Sequence, residues 1–232
     1  MPASFDRPAA LQYAPSGPFS AEEKAAVYRA IQTRRDVRRD FLPDAIPEPV
    51  LWRMLEAAHH APSVGLMQPW NFLIVTALAQ KARIRAIFER ANAEAMAMFP
   101  PERRGAYAAL KLEGILQAPV GICVTCDPGR AGPVALGATH MPDMAVFSTV
   151  CAIQNLWLAG RAEGVGVGWV SILDEGALKE VLGIPSQLRV VAYLCAGLVE
   201  QTMTSPELEQ RGWRQRLPLE QLVYRDRWGE TA

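Results

Sequence analysis

Residues 62–76 have the sequence PSVGLMQPWNFLIVT, which predicts a rigid loop that leads into a buried strand. Pro62, Gly65 and Pro69 are turn-forming residues, whereas the segment that starts at Trp70 is mostly apolar. The loop also places the Gln68 amide close to the flat ring of Trp70. Polar edge contacts beside apolar walls suit a heteroaromatic ligand, so this stretch predicts a strand and a binding loop together.

Further strands alternate with helices along the chain, at 120–125, 165–172 and 190–198. Ser20 and Glu23 form a capping box that opens a helix ending near residue 33, and a second helix starts at Pro47. A helix over 142–162 is apolar on nearly every face, which predicts either a central helix or a dimer interface. Strands separated by helices therefore predict an α+β or α/β layer fold.

Residues 78–117 predict two helices broken at Pro100-Pro101, with Met96, Met98 and Phe99 at the break. Flexible thioethers suit a surface that moulds around a ligand, and they equally suit a gap in the core. Residues 1–18 contain four prolines and predict an extended arm. The remaining residues, 19–232, are expected to form a single domain.

Composition excludes several classes of function. Lys+Arg and Asp+Glu balance at 24 each, so no overall charge favours nucleic acid or a membrane surface. We find no secretory signal and no apolar run long enough to span a membrane. The four cysteines are scattered, and Cys123 and Cys126 should point to opposite faces of one strand. These features predict a cytoplasmic protein without a metal site.

Arg34-Arg35-Asp36-Val37-Arg38 is the most charged motif, and basic residues concentrate at 34–39 and again at 211–216. Guanidinium groups bind phosphate bidentately, so two distant segments converging on one anion would make a phosphate site. The alternative is a solvated charge cluster at the end of the first helix. Together with the loop before Trp70, the arginines favour a flat ring system that carries a phosphate, for which FMN is the economical candidate.

Glycines alternate over Gly164-Val165-Gly166-Val167-Gly168. The spacing is not G-x-G-x-x-G, and a helix precedes the run where a dinucleotide site has a strand. We interpret it as a tight turn at which another part of the backbone approaches closely.

In order and spacing these segments resemble the nitroreductase-type flavoprotein family over residues 20–229. The matching pieces are Arg34–Arg38, Pro62–Trp70, Gln154–Leu158, Gly164–Ser171 and Trp213–Leu219. The resemblance implies an α+β fold with a mixed central sheet flanked by helices, a long buried central helix, and a lid segment around 78–117 that includes Met96–Phe99. It also implies a homodimer with FMN bound in a cleft between the subunits. It implies phosphate and ribityl contacts from the segment 34–38, which includes Val37, and from Arg216, with Arg214 as a further candidate. It also implies ring contacts from Ser63, Gly65, Gln68, Met98, Gly168, Trp169, Val170 and Ser171.

Two residues depart from ordinary nitroreductases, which usually carry a small or apolar residue in place of Asp36 and an asparagine in place of Leu66. Both changes resemble the branch of the family that consumes its flavin. That branch implies oxygen-dependent fragmentation of reduced FMN to 5,6-dimethylbenzimidazole, the lower ligand of cobalamin, and erythrose 4-phosphate. A separate flavin reductase would supply the reduced FMN.

The resemblance also implies two catalytic residues. Asp36 would be the base for cleavage of the ribityl chain, with its pKa lowered by the neighbouring arginines. Ser171 would hydrogen-bond near the reacting flavin nitrogen. Two alternatives stay open at this stage: a conventional FMN-dependent NAD(P)H reductase, and a non-catalytic protein that binds or stores flavin.

Overall fold

The computed structural model describes residues 12–229, in which seven helices surround a four-stranded sheet. The strands are β1 (Trp70–Val75), β2 (Val120–Cys126), β3 (Val165–Val170) and β4 (Arg189–Leu198). The helices are α1 (Ala21–Thr33), α2 (Glu48–His59), α3 (Leu78–Met98), α4 (Pro101–Ala108), α5 (Met144–Ala162), α6 (Glu175–Leu182) and α7 (Glu207–Gln210). The α+β class and the long central helix are confirmed.

The sheet has the order β1-β2-β4-β3, and every strand pairing in it is antiparallel. The prediction of a mixed sheet is wrong in this respect. The crossover through α5 does make β2 and β3 run the same way, but β4 lies between them and pairs with both. Within the described residues, the parallel pairing is reduced to an isolated bridge between Asp36 and Val167.

Helices cover both faces of the sheet. Ile122 and Val124 of β2 pack in a core cluster with α2 and α5, whereas Cys123 faces a second cluster formed with α3 and α6. Cys126 belongs to a third, smaller cluster. Cys123 and Cys126 therefore lie in different parts of the core, as the alternation of side chains along a strand predicts.

Local signals set the ends of several helices. Ser20 accepts a hydrogen bond from the Glu23 N–H while Glu23 reaches back to the Ser20 N–H, which completes the predicted capping box. Asp174 caps α6, and Gly183 ends it at φ 65°. The end of α4 was predicted less well. It stops at Ala108 instead of continuing to residue 117, because residues 110–119 form an irregular segment held by side chains.

Glu113 is the centre of that segment and is 3% exposed. Its carboxylate accepts hydrogen bonds from Arg85, from Lys111 at 2.9 Å and from the Ile115 N–H at 2.7 Å. Lys81 donates to the Ala118 carbonyl at 2.9 Å. The segment 110–119, which follows α4, is therefore fixed to α3 by buried polar contacts.

The predicted N-terminal arm lies mostly outside the described residues, and its described part, 12–18, is exposed and has no regular secondary structure. The division into an arm and one domain stays a prediction. Among residues 12–229, no helix has the length and apolar character needed to cross a bilayer.

Candidate active site

A cavity of about 580 Å³ lies between the segment 31–40 and the segment 201–216. Arg34, Arg35, Arg38 and Arg39 line one side of it, and Arg216 lines the other. The two distant basic segments thus meet at one cavity. Arg211 and Arg214 are not among the lining residues, and Arg211 pairs with Glu207 at 2.7 Å.

Arg34 and Arg35 have different partners. The Arg35 guanidinium donates to four backbone carbonyls, two in its own turn and those of Met203 and Thr204 across the cavity. Arg35 therefore fastens the segment at 203–204 to the end of α1. Arg34 lies over the Trp157 ring, 4.7 Å from its centroid, and finds no hydrogen-bond acceptor within residues 12–229. Of these two arginines, Arg34 is the one free to bind an anion.

Asp36 lies in the cavity wall, and its side chain keeps 31% of its surface exposed. Its Oδ1 accepts a hydrogen bond from the Trp169 N–H at 3.1 Å, and its Oδ2 accepts one from Arg38. Burial raises the pKa of the Asp36 carboxyl, and Arg38 and the Trp169 N–H offset that rise only in part. The arginines do act to lower this pKa, but desolvation outweighs them, so the expectation of a pKa below the ordinary value is wrong.

The Nε atoms of Arg38 and Arg39 are buried donors with no acceptor among the described residues. Arg39 uses another nitrogen to bind Glu207 at 2.5 Å. A buried unpaired donor costs about 1–3 kcal/mol, and more when the group is charged. Both donors belong to residues that line the cavity.

Strand β3 fixes the position of Asp36 through a close backbone approach. The Val37 N–H donates to the Val167 carbonyl at 3.0 Å. A Cβ atom on Gly168 would lie 2.0 Å from the Val37 oxygen and 3.2 Å from Asp36 Oδ1. Only glycine fits at this position, which explains the glycine run as a close approach of backbones, as predicted.

The loop before β1 does not reach this cavity. Ser63 Oγ accepts from the Gln68 N–H at 3.0 Å and closes the loop on itself. Gly65 has φ 54°, and a Cβ there would lie 2.9 Å from the Leu136 oxygen. The space beside Gly65 is therefore filled by the chain itself. The Gln68 side chain lines a second cavity, of about 600 Å³, between α2 and β1.

Three inter-strand spacings, about 14 Å, separate β1 from β3, which are opposite ends of the four-stranded sheet. The arginine segment lies beyond β3, where Asp36 bridges Val167, so the two parts of the predicted site are further apart than that. Ser171 follows the end of β3, is exposed and does not line the arginine cavity. Met98 ends α3 with 82% of its surface exposed. One chain thus brings together Arg34–Arg38 and Arg216, with Gly168 and Trp169 packed behind Asp36, but not Ser63, Gly65, Gln68 or Met98.

Comparison with known proteins gives the family. Residues 31–198 match the model of the nitroreductase family. The chain belongs to this family. It is 46% identical to 5,6-dimethylbenzimidazole synthase from Rhodospirillum rubrum over 187 residues, which is 81% of this chain and 88% of the relative. It is 40% identical to the enzyme of the same name from Rhodobacter capsulatus over 202 residues, 87% of this chain and 97% of that one.

The nitroreductase fold is shared with proteins of different activity. A crystal structure of oxidized iodotyrosine deiodinase bound to FMN and 3-iodo-L-tyrosine aligns with a TM-score of 0.65 at 24% identity. The alignment covers 76% of this chain and 91% of the deiodinase. At this identity the likeness concerns the fold alone.

The structure adds residues to the nitroreductase-family site that the sequence did not single out. Arg39 and Glu207 form an ion pair across the cavity, although they are 168 positions apart. Trp157 donates through Nε1 to the Arg35 carbonyl at 3.2 Å and supports the Arg34 side chain. Arg39 lies inside the predicted basic segment, which was an available signal. Trp157 lies inside the matching piece Gln154–Leu158, whereas Glu207 carried no signal.

Proposed function

We propose that this chain is a 5,6-dimethylbenzimidazole synthase, which converts reduced FMN and molecular oxygen into 5,6-dimethylbenzimidazole and erythrose 4-phosphate. Two relatives at 46% and 40% identity over most of their length carry that enzyme name. The observation that carries the proposal is a half-buried carboxylate, Asp36, in the wall of a cavity lined by arginines. A phosphate site with a base beside it is what cleavage of a phosphorylated sugar chain requires.

The cavity fits the phosphate end of FMN. Its volume, about 580 Å³, lies within the range of small-molecule sites. Arg34 and Arg216 have no carboxylate partner among the described residues, and the Nε donors of Arg38 and Arg39 are unpaired. We assign the phosphate to Arg34 and Arg216, and the ribityl chain to the Asp36–Arg38 side, while Arg35 shapes the cavity wall.

Asp36 takes the proton of a ribityl hydroxyl when the C1′–C2′ bond of the chain breaks. A carboxylate with a raised pKa is a stronger base than an ordinary aspartate, so the burial of Asp36 favours this role. The Trp169 N–H and Arg38 each hold one carboxylate oxygen and so fix its direction. Reduced FMN supplies the electrons for the reaction with oxygen at its ring.

We assign the ring end of the site to a homodimer. Ser63, Gly65, Gln68 and Met98 lie away from the arginine cavity of their own chain, so a second copy would bring these residues to it, while Ser171 and the end of β3 come from the first. Helix α1 has no buried residue and exposes Val27, Tyr28 and Ile31. Helix α5 leaves Phe147 48% exposed. These apolar faces support an interface between copies.

A separate flavin reductase would deliver reduced FMN. The four cysteines, Cys123, Cys126, Cys151 and Cys195, are free, which supports a reducing, cytoplasmic compartment.

The test supplies the purified protein with chemically reduced FMN and oxygen, and follows flavin and product by mass spectrometry. We expect loss of FMN with one benzimidazole formed for each flavin lost. Intact FMN together with rapid oxidation of added NAD(P)H would assign the protein as a conventional reductase. Tight binding of oxidised FMN without either reaction would assign it as a flavin-binding protein, and both results would overturn the proposal.

A further inference from the structure

Trp213 lies where the junction of α3 and α4 meets the C-terminal segment. Its ring makes an edge contact with Phe99 at 5.6 Å between centroids and a further contact with Tyr107 at 6.5 Å. The Arg103 guanidinium lies over the same ring, 4.3 Å from its centroid. These three partners come from the break between α3 and α4 and from α4 itself. The Trp213 side chain therefore belongs to a cluster formed with Phe99, Arg103 and Tyr107.

The backbone of Trp213 is hydrogen-bonded to the wall of the arginine cavity. The Trp213 N–H donates to the Leu208 carbonyl at 2.8 Å, and the Gly212 N–H donates to the Glu209 carbonyl at 3.0 Å. Gly212 has φ 67°, so these bonds form a Schellman motif that ends α7. Leu208 and Glu209 line the cavity. Backbone and side chain of one residue thus join the lid to the cavity wall.

Arg216 follows Trp213 by three positions, so the chain between them spans at most about 10 Å. No hydrogen bond holds the Arg216 side chain within the described part of the protein, and its charge lies close enough to Arg35 to lower the pKa of that group. The place of Arg216 at the cavity is therefore set by its backbone, and that backbone is anchored at Trp213.

We propose that Trp213 is a positioning residue that couples the ordering of the segment 96–108, within the predicted lid, to the binding of a phosphate by Arg216. The inference rests on the proposed function for the identity of the ligand, a flavin phosphate. A phosphate held by Arg216 fixes the segment that carries Trp213, and Trp213 in turn holds Phe99 and Tyr107. A flavin without phosphate binds but leaves the lid uncoupled.

The test compares Trp213→Leu with the control Trp213→Phe, which keeps an aromatic ring against the lid. Dissociation constants are measured for oxidised FMN and for riboflavin, which differ by the phosphate. Trp213→Leu should weaken FMN binding about 10- to 100-fold, the size expected for loss of a charge-assisted contact. Riboflavin binding should change less than about twofold. The double variant with Arg216→Gln should bind FMN no more weakly than Arg216→Gln alone.

Limited trypsin digestion at Arg103 and Arg104 reports on the lid directly. FMN should slow this cleavage in the unchanged protein and in Trp213→Phe, and riboflavin should not. In Trp213→Leu neither ligand should slow it. Phe99→Leu removes the ring contact with Trp213 by changing the other partner. If Trp213→Leu does not fold, Phe99→Leu should reproduce the selective loss of FMN affinity.

Equal weakening of FMN and riboflavin by Trp213→Leu would overturn the coupling, as would additive losses in the double variant. Failure of the proposed function has a different signature. In that case the unchanged protein binds FMN with lid protection but forms no benzimidazole, and the coupling stands without the reaction.

Discussion

Gly168→Ala tests whether the approach of β3 positions Asp36. The new Cβ atom would lie 2.0 Å from the Val37 oxygen. A carbon–oxygen contact needs about 3.3 Å, so the segment 36–37 must move by about 1.3 Å or more. Because the obstacle is backbone, no side-chain rotation relieves it. The shift breaks the bond from Val37 N–H to the Val167 carbonyl and the bond from Trp169 N–H to Asp36.

Loss of one neutral and one charge-assisted hydrogen bond costs about 2–4 kcal/mol in the free energy of unfolding. For a protein of this size we expect the Tm to fall by about 5–12 °C. The carboxylate is displaced by about 1 Å, which lowers the rate of product formation by roughly 100-fold.

The assay combines thermal unfolding with the yield of 5,6-dimethylbenzimidazole from reduced FMN. Gly176→Ala is the control, because its Cβ would meet only Asp174 Oδ1 at 3.4 Å, an ordinary contact. That control should be unchanged or more stable by up to about 1 kcal/mol, since alanine is the better helix former. A Gly168→Ala protein with the stability and product yield of the unchanged chain would refute the reasoning.

Three further substitutions test the roles of Asp36, Arg38 and Glu113. Asp36→Asn keeps an acceptor for the Trp169 N–H but removes the base, so FMN should still bind while product formation falls about 10²- to 10⁴-fold. Unchanged turnover would show that Asp36 is not the base. Arg38→Gln deletes the main charge that lowers the Asp36 pKa, so that pKa should rise further. The acid limb of the pH–rate profile should then move to higher pH, and an acid limb that does not move would contradict the assignment of this limb to Asp36. Glu113→Gln should lower the free energy of unfolding by about 3 kcal/mol in urea titrations, because Arg85 and Lys111 lose a buried partner. Since those partners lower the Glu113 pKa below 4.5, its contribution is present above that pH and lost as pH falls through the folded pKa, so the deficit should shrink in acid.

Features that depend on neighbours in the sequence were predictable. The capping box at Ser20 and Glu23 and the glycine end of α6 follow from contacts three to five residues apart. The alternation of side chains along a strand was enough to separate Cys123 from Cys126. The two basic segments were also visible, because arginines at a shared cavity have a distinctive composition.

Features that depend on the assembled fold were not predictable. The antiparallel sheet requires β4 to lie between β2 and β3, and no local pattern encodes that order. The Asp36 pKa was given the wrong direction because nearby charges can be counted in a sequence, whereas desolvation cannot. The close approach of Leu136 to Gly65 was not predictable either, because the two residues are distant in the chain.

A crystal structure of the protein with FMN bound tests the central claim most directly. We expect phosphate oxygens within hydrogen-bond distance of Arg34 and Arg216, and a ribityl hydroxyl within about 3.2 Å of the Asp36 carboxylate. An FMN molecule seated in the cavity between α2 and β1, with its phosphate near Arg130 and Asp36 out of reach, would contradict it.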